Sequence, residues 1–382
     1  VAIYVVKPGD SVDTIASRTD TAVESIIWAN QIEYPYRLAV GESLYLADKA
    51  TARGRERPPL YSFGYAYPYI SREVLRETLP ALTDLYIFSY GFTMEGELVP
   101  PAGDDTWMIE EANYAGVGPV LVLTPLGADG RFNNNLVTAL VSDPTVQERL
   151  IWELGRTLFR KGYRGVDIDF EYVQAADREG FAAFVGKVRS VMSLFGYQVT
   201  VALAPKTSAD QAGLLYEGMD YGLLGAAADR VMLMTYEWGY TYGPPMAVAP
   251  IHMVRRVVEY AVTEIPQEKI SLGIPNYGYD WPLPYVRQVT KATTLGNQEA
   301  VQTAIDHGVD IRFDALAQSP YFRYWQYGIQ HEVWFEDIRS IKEKFDLIQE
   351  YGLSGAGYWQ LMRFFRSNWL LMEEMFRIQK RM

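Results

Sequence analysis

The sequence predicts an α/β fold: a (β/α)8 TIM barrel with a small α+β insertion between strands seven and eight, preceded by a small βααβ domain. Three observations carry that prediction. At 382 residues the chain has room for a small domain beside a barrel, which commonly takes about 250 residues or more. From Leu60 onward, apolar β-rich runs alternate with helical patterns, the arrangement that builds a parallel sheet. Eight such runs are present, near 60–66, 84–90, 118–124, 165–171, 198–204, 230–236, 269–275 and 354–359, and eight strand–helix units point to a closed barrel.

In chain order, residues 1–47 read as a strand (Ile3 to Val6), a turn at Pro8-Gly9-Asp10, two short helices and a closing strand (Ser43 to Leu46). Ser11 precedes Val12, Ile15 and Ala16 at helical spacing, and Val23, Ile26 and Ile27 lead into Trp28-Ala29-Asn30. The run from Tyr4 to Ser11, with Ile15-Ala16, Ile27, Asn30 and Val40-Gly41-Glu42-Ser43-Leu44-Tyr45-Leu46, resembles a LysM module over the whole segment. LysM modules bind N-acetylglucosamine-containing glycans, so the resemblance implies peptidoglycan or chitin as ligand. The alternative is a small βααβ domain without one. Residues 48–59, with Arg53, Gly54, Arg55, Glu56, Arg57, Pro58 and Pro59, are polar and end in two prolines, the composition of a linker.

The barrel then spans 60–382. Its helices show the expected stripes: from Pro144 to Lys161, Val146, Leu150, Leu154 and Leu158 recur every fourth residue on one face. Between strands seven and eight, Trp281 to Glu332 is too long for an ordinary loop and is rich in Tyr, Trp and Pro, which marks the insertion at 281–332.

Composition narrows the function. A net charge of −12 argues against nucleic acid, whose binding rests on Lys and Arg neutralising phosphate, and against adhesion to anionic membranes. Without Cys there are no disulfides and no thiolate sites, and His252, His307 and His331 are widely separated, so neither a metal nor another cofactor is expected. No apolar run reaches transmembrane length, and no basic-then-apolar leader follows Val1. The aromatic share of 14%, with 28 Tyr, exceeds what a core requires, so rings are expected to face a ligand.

The chemistry concentrates on the fourth strand, Gly165-Val166-Asp167-Ile168-Asp169-Phe170-Glu171. Side chains of a strand alternate faces, so Val166, Ile168 and Phe170 point to the helices while Asp167, Asp169 and Glu171 form a ladder of carboxylates inside the barrel. Burying ionised carboxylates without partners is costly, which weighs against a merely structural role. Neighbouring carboxylates resist ionising together, so the ladder should hold one acid protonated near neutral pH, as a general acid requires. Barrel enzymes carry their sites at the carboxyl ends of the strands, where the ladder ends.

Asp167-Ile168-Asp169-Phe170-Glu171 satisfies the D-x-D-x-E fingerprint of the family 18 glycoside hydrolases, and the chain resembles these chitinase-like enzymes from about Leu60 to Met382. Met234-Thr235-Tyr236 on strand six and Trp359 at the end of strand eight belong to the same resemblance. With the LysM-like segment, Thr235-Tyr236-Glu237-Trp238-Gly239-Tyr240 and Gln318-Ser319-Pro320-Tyr321-Phe322 look most like the spore cortex-lytic N-acetylglucosaminidases of endospore-forming bacteria. Arg164 and Glu237 depart from the chitinase pattern, which has Asp at both places.

The resemblance implies substrate-assisted retention, in which the sugar's acetamido group replaces a carboxylate nucleophile. Glu171 would be the acid and base, Asp169 would hold the acetamido N–H, Asp167 would share its proton, and Tyr236 would donate to the acetamido oxygen. Trp359 would floor the sugar site, its alternative being core packing; Met234, Glu237, Tyr65, Tyr90 and Tyr277 are candidate substrate contacts. Tyr67, Tyr279 and Tyr321 to Trp325 are weaker ones, and a two-carboxylate mechanism would need Glu237 as nucleophile. The implied activity is hydrolysis of N-acetylglucosaminyl bonds in peptidoglycan or spore cortex, with a chitinase or a catalytically silent glycan-binding protein as alternatives. A place at the cell wall, in the spore or outside the cell follows from that substrate.

Overall fold

The structure, a computed structural model, describes residues 2–47, 56–127 and 129–381. At the amino end, Ala2–Val5 and Ser43–Leu46 pair antiparallel, Ala2 opposite Leu46, and enclose the helices Val12–Thr19 and Val23–Ala29. Ser11 caps the first helix: its hydroxyl accepts from the Thr14 N–H at 3.2 Å while its own N–H donates to the Thr14 hydroxyl at 2.8 Å, satisfying two donors that a helix start leaves open. Val12, Ile15, Ile26, Leu44 and Leu46 make a core of their own. Asn30 locks the closing strand, its side-chain oxygen accepting from Tyr45 N at 2.7 Å and its amide donating to Tyr45 O at 2.9 Å. Of the segment read as a linker, residues 48–55 lie outside the described residues; Glu56 to Pro58 are exposed, and Pro59 already opens the first barrel strand.

Eight parallel strands close into a barrel: Pro59–Ala66, Asp84–Phe92, Gly118–Leu123, Gly165–Ile168, Gln198–Leu203, Arg230–Leu233, Ile270–Pro275 and Gly355–Trp359. The first strand pairs with both the second and the eighth, which closes the ring. Outside it run Arg72–Thr78, Thr106–Tyr114, Pro144–Lys161, Arg178–Met192, Tyr221–Ala227, Ile251–Glu264, Ile338–Tyr351 and Arg366–Met375. Pro144–Lys161 has the predicted bounds: Asp143 caps it, Pro144 occupies its first turn, and Gly162 ends it at φ +84°.

Two strands stop short of expectation. The fourth ends at Ile168, where its pairing with Leu123 and Val201 runs out, although Asp169 N still reaches Leu123 O at 2.9 Å. The sixth ends at Leu233, because Thr235 N bonds back to Leu233 O and Tyr236 N to Met234 O, two successive tight turns that coil the chain off the sheet. Face alternation continues beyond the fourth ladder nonetheless: Phe170 is buried against the helices, its ring 5.4 Å from Phe181 and 6.2 Å from Phe184.

The insertion is a five-stranded antiparallel sheet carrying the helix Asn297–His307. Its strands run from Gly278 to Trp334, three residues earlier and two later than the composition indicated, because the central pair Gly278–Pro282 and Ile329–Trp334 begins directly beyond the seventh strand. The amino-terminal unit is docked on this insertion and on the last helix. Ile311 N donates to Val40 O at 2.8 Å, Arg366 Nη1 to Trp28 O at 2.9 Å, and Arg366 N to the Gln31 side chain at 2.7 Å.

Candidate active site

The carboxyl ends of the strands surround a cleft of about 450 Å3. Six strands and the segments that follow them line it. Tyr65 and Tyr67 come from the first, Phe88 from the second, Thr124 and Pro125 with Phe132 and Asn134 from the third. Asp169, Glu171 and Tyr172 come from the fourth, Met232, Met234, Tyr236 and Glu237 from the sixth, and Trp359 from the eighth.

The carboxylate ladder rises from a closed floor to an open mouth. Asp167 is fully buried, its two oxygens accepting from Tyr65 at 2.8 Å and Thr200 at 2.6 Å. Burial raises its pKa to about 6, against the pull of those two hydrogen bonds. Asp169, one step up, lies well above the usual carboxylate range through burial first and then the charges of Glu171 and Asp167. Its Oδ1 is buried without a hydrogen-bond partner. Glu171 opens to solvent at the mouth, yet desolvation of its carboxyl and the charge of Glu237 raise its pKa too. Both Asp167 oxygens are thus engaged by hydroxyls.

Tyr236 reaches this ladder because the coil after the sixth strand carries it across the seventh, where Gly273 leaves space. A Cβ on Gly273 would stand 2.2 Å from Leu233 O and 3.0 Å from the Tyr236 ring. Burial and then the charges of Asp169, Glu171 and Glu237 hold the Tyr236 hydroxyl well above its ordinary pKa, so it stays protonated and able to donate. Trp359 packs its ring 5.5 Å from Tyr65, 5.1 Å from Phe88 and 6.1 Å from Tyr67, half-buried with one side on the cleft. Its peptide bond to Gln360 is cis.

Two expected substrate contacts lie elsewhere. Tyr90 is turned away from the cleft: the pairing of the second strand with the third shifts register between Ile87 and Tyr90, which breaks the alternation that puts Tyr86 and Phe88 inside and leaves Tyr90 outside, bonded to Asp105. Phe88 stands in the cleft instead. Tyr277 is behind the lining; its hydroxyl and that of Tyr279, the latter at 2.8 Å, both donate to Glu237 Oε1. They steady Glu237, whose backbone takes the left-handed φ of +69°. Tyr321 packs on Trp334 in the insertion sheet, ring centres 4.5 Å apart. Phe132, Asn134 and Tyr172 were not legible, since they sit on loops without a period; Thr124 and Phe88 could have been found as the ends of strands three and two.

The chemistry the cleft offers is proton transfer from a carboxyl beside an orphaned acceptor and a phenolic donor.

Residues 127–363 match the model of the glycosyl hydrolases family 18, and residues 4–47 that of the LysM domain. The cortical fragment-lytic enzyme of Bacillus subtilis (strain 168) is 38% identical over an alignment of 429 positions, covering 99% of both chains. Among solved structures, the spore cortex-lytic enzyme SleL of Bacillus megaterium QM B1551 superposes with a TM-score of 0.93 at 33% identity, over 100% of this chain and 99% of that one. The Bacillus cereus SleL superposes with 0.91 at 31%, over 99% of each.

Proposed function

The chain belongs to family 18 of the glycosyl hydrolases and carries a LysM domain, and from that premise we propose that it cleaves N-acetylglucosaminyl bonds in spore-cortex peptidoglycan by substrate-assisted retention. The observation that carries the reading is Asp169 Oδ1, a buried acceptor on the cleft wall with no partner. An unmet buried acceptor is costly, and an acetamido N–H laid over it supplies the missing donor. Tyr236 then donates to the acetamido oxygen, which attacks the anomeric carbon while Glu171 protonates the departing glycosidic oxygen. The positive oxazolinium forms against Asp169; water then attacks the anomeric carbon, giving a proton to Glu171, and the bond from that carbon to the acetamido oxygen breaks. Trp359 supports the apolar face of the sugar. The LysM domain holds glycan, and the spore or cell wall is where such a substrate is met. Among the described residues no helix is long and apolar enough to cross a membrane.

The bond cut is set by the same requirement. A muramic lactam ties its nitrogen into a ring and has no acetamido group to swing beneath the anomeric carbon, so the sugar over Trp359 is N-acetylglucosamine and the lactam leaves. Borohydride labelling of digested cortex, followed by acid hydrolysis, should yield labelled glucosaminitol. Label in muramicitol or its lactam would make the enzyme a muramidase and defeat this assignment, as would rapid hydrolysis of de-N-acetylated glycan.

A further inference from the structure

Below the carboxylate ladder, hydrogen bonds thread the barrel interior down to the amino ends of its strands. There Asp84, fully buried, is ion-paired with Arg381, whose Nε and Nη2 each reach one of its oxygens at 2.5 Å. Arg381 stays partly open to solvent and also donates to Gln198 Oε1 at 2.8 Å. It arrives there because Arg377–Ile378 pair with the start of the first strand and carry the segment beneath the barrel. The third strand opens at Gly118, where a Cβ would stand 2.4 Å from Asp84 Oδ1 and 2.5 Å from Arg381 Nε, so glycine leaves room for the pair. From Asp84 the contacts climb inside the barrel. Tyr61 OH donates to Asp84 Oδ2 at 2.6 Å and lies 3.0 Å from Tyr86 OH, which donates to Thr200 Oγ1 at 3.2 Å; Thr200 donates to Asp167 Oδ1 at 2.6 Å. The protons do not match the links. Four links join Asp84 to Asp167, whereas Tyr61, Tyr86 and Thr200 bring three hydroxyl protons. Burial first of all keeps both phenols well above their ordinary pKa, so neither gives its proton up. With both carboxyls ionised one link is empty, and a single further proton completes the chain from either end. On Asp167 it turns every hydroxyl toward Asp84; on Asp84 it turns every hydroxyl toward Asp167.

Resting on the hydrolase reading above, we propose that Arg381 is a positioning residue for the reaction: by holding the negative charge on Asp84 it sends the added proton to the far end of the chain, onto Asp167. The groups around Asp167 itself give no such bias. Tyr65, Tyr86 and Thr200, from the first, second and fifth strands, are neutral, as is Tyr236 beyond the sixth, and the charged neighbour above is the acid Asp169. At the other end, Arg230 lies over the Tyr61 ring at 4.4 Å and bonds Ser354, so the cation on the Asp84 carboxyl is Arg381. A neutral Asp167 eases the ionisation of Asp169, because the charge of Asp167 is one cause that holds the Asp169 pKa up. An ionised Asp169 is what accepts the acetamido N–H and faces the positive oxazolinium in the proposed mechanism.

Carbon-13 labelling of the aspartate carboxyls, with Asp167→Asn and Asp84→Asn to assign the two signals, follows the proton directly by NMR. In the intact protein Asp167 should titrate with a midpoint of about 6. In Arg381→Met that midpoint should fall by about one unit, and the Asp84 carbon should take up a proton instead. Asp169 must then ionise beside a charged Asp167, so the acid limb of the kcat profile should move up by about one unit. On that limb kcat falls on the order of tenfold, and on the alkaline side it is unchanged. Arg381→Lys, which keeps the cation, should restore both readouts. In a Tyr61→Phe background, where the chain is cut, Arg381→Met should move neither. An Asp167 midpoint indifferent to residue 381 would overturn the proposal, as would a kcat lowered equally at every pH, the mark of a structural tie. If the intact protein leaves cortex uncut, the hydrolase reading fails instead, and the carboxyl titrations still decide where the proton sits.

Discussion

In the proposed mechanism Glu171 gives up a proton and takes one back, so what sets its affinity for that proton sets the working pH. Desolvation raises its pKa first and the charge of Glu237 adds to it. With Glu237→Gln the second cause disappears, the proton leaves at lower pH, and the alkaline limb of the kcat/KM profile should move to lower pH. A limb that stays in place would show that Glu237 is screened from the acid. Glu171→Gln, which keeps shape and loses the proton, should cut kcat by about 10²–10⁴-fold while glycan still binds; more than a tenth of the original rate would remove Glu171 from the acid role. These acids were legible in the sequence because a period of two allows them only one face. Tyr277 was not, in the role it takes: its hydroxyl bonds Glu237, a contact between the seventh and sixth strands that no local spacing encodes.

At the scale of elements, alternation tells which way a side chain points but not where a strand's pairing ends or slips. The register shift between Ile87 and Tyr90 therefore inverted one assignment, and the early end of the sixth strand at Leu233 hid how Tyr236 comes to the site. That placement depends on a neighbouring element, since only a glycine at 273 lets the coil cross the seventh strand. Gly273→Ala puts a methyl 2.2 Å from Leu233 O, so coil and strand must separate, at a cost of about 1–3 kcal/mol. The expected result is lower thermal stability together with a fall in kcat larger than any rise in KM, because in the proposed mechanism Tyr236 acts on the acetamido group as it becomes charged. Gly186→Ala is the control: its Cβ would meet only Ala227 Cβ at 3.9 Å on an outer helix, so it should stabilise slightly and leave kcat alone. Unaltered kcat in Gly273→Ala would mean that Tyr236 is not fixed by this crossing.

At the scale of the molecule, the polar, proline-ended composition of residues 48–59 suggested a module on a tether, which would act by raising the local concentration of the barrel at the wall. The docked contacts add a geometric constraint that composition does not reveal. Val40 O and Gly41 meet the insertion at Ile311, Arg339 donates to Gly41 O at 3.0 Å, and Arg37 pairs with Asp306 at 2.9 Å. Gly41 stands at φ +85°, and a Cβ there would fall 1.8 Å from Ile311 O, so the close approach tolerates no side chain. Gly41→Val should therefore undock the unit without unfolding the barrel. Hydrogen exchange should quicken at residues 39–42 and 311–313 together while the barrel strands keep their protection. If the fixed orientation feeds bound glycan to the cleft, hydrolysis of insoluble cortex should fall and that of short soluble fragments should hold. Faster exchange with unchanged action on cortex would leave tethering alone as the contribution of the small domain, because local concentration survives undocking and orientation does not.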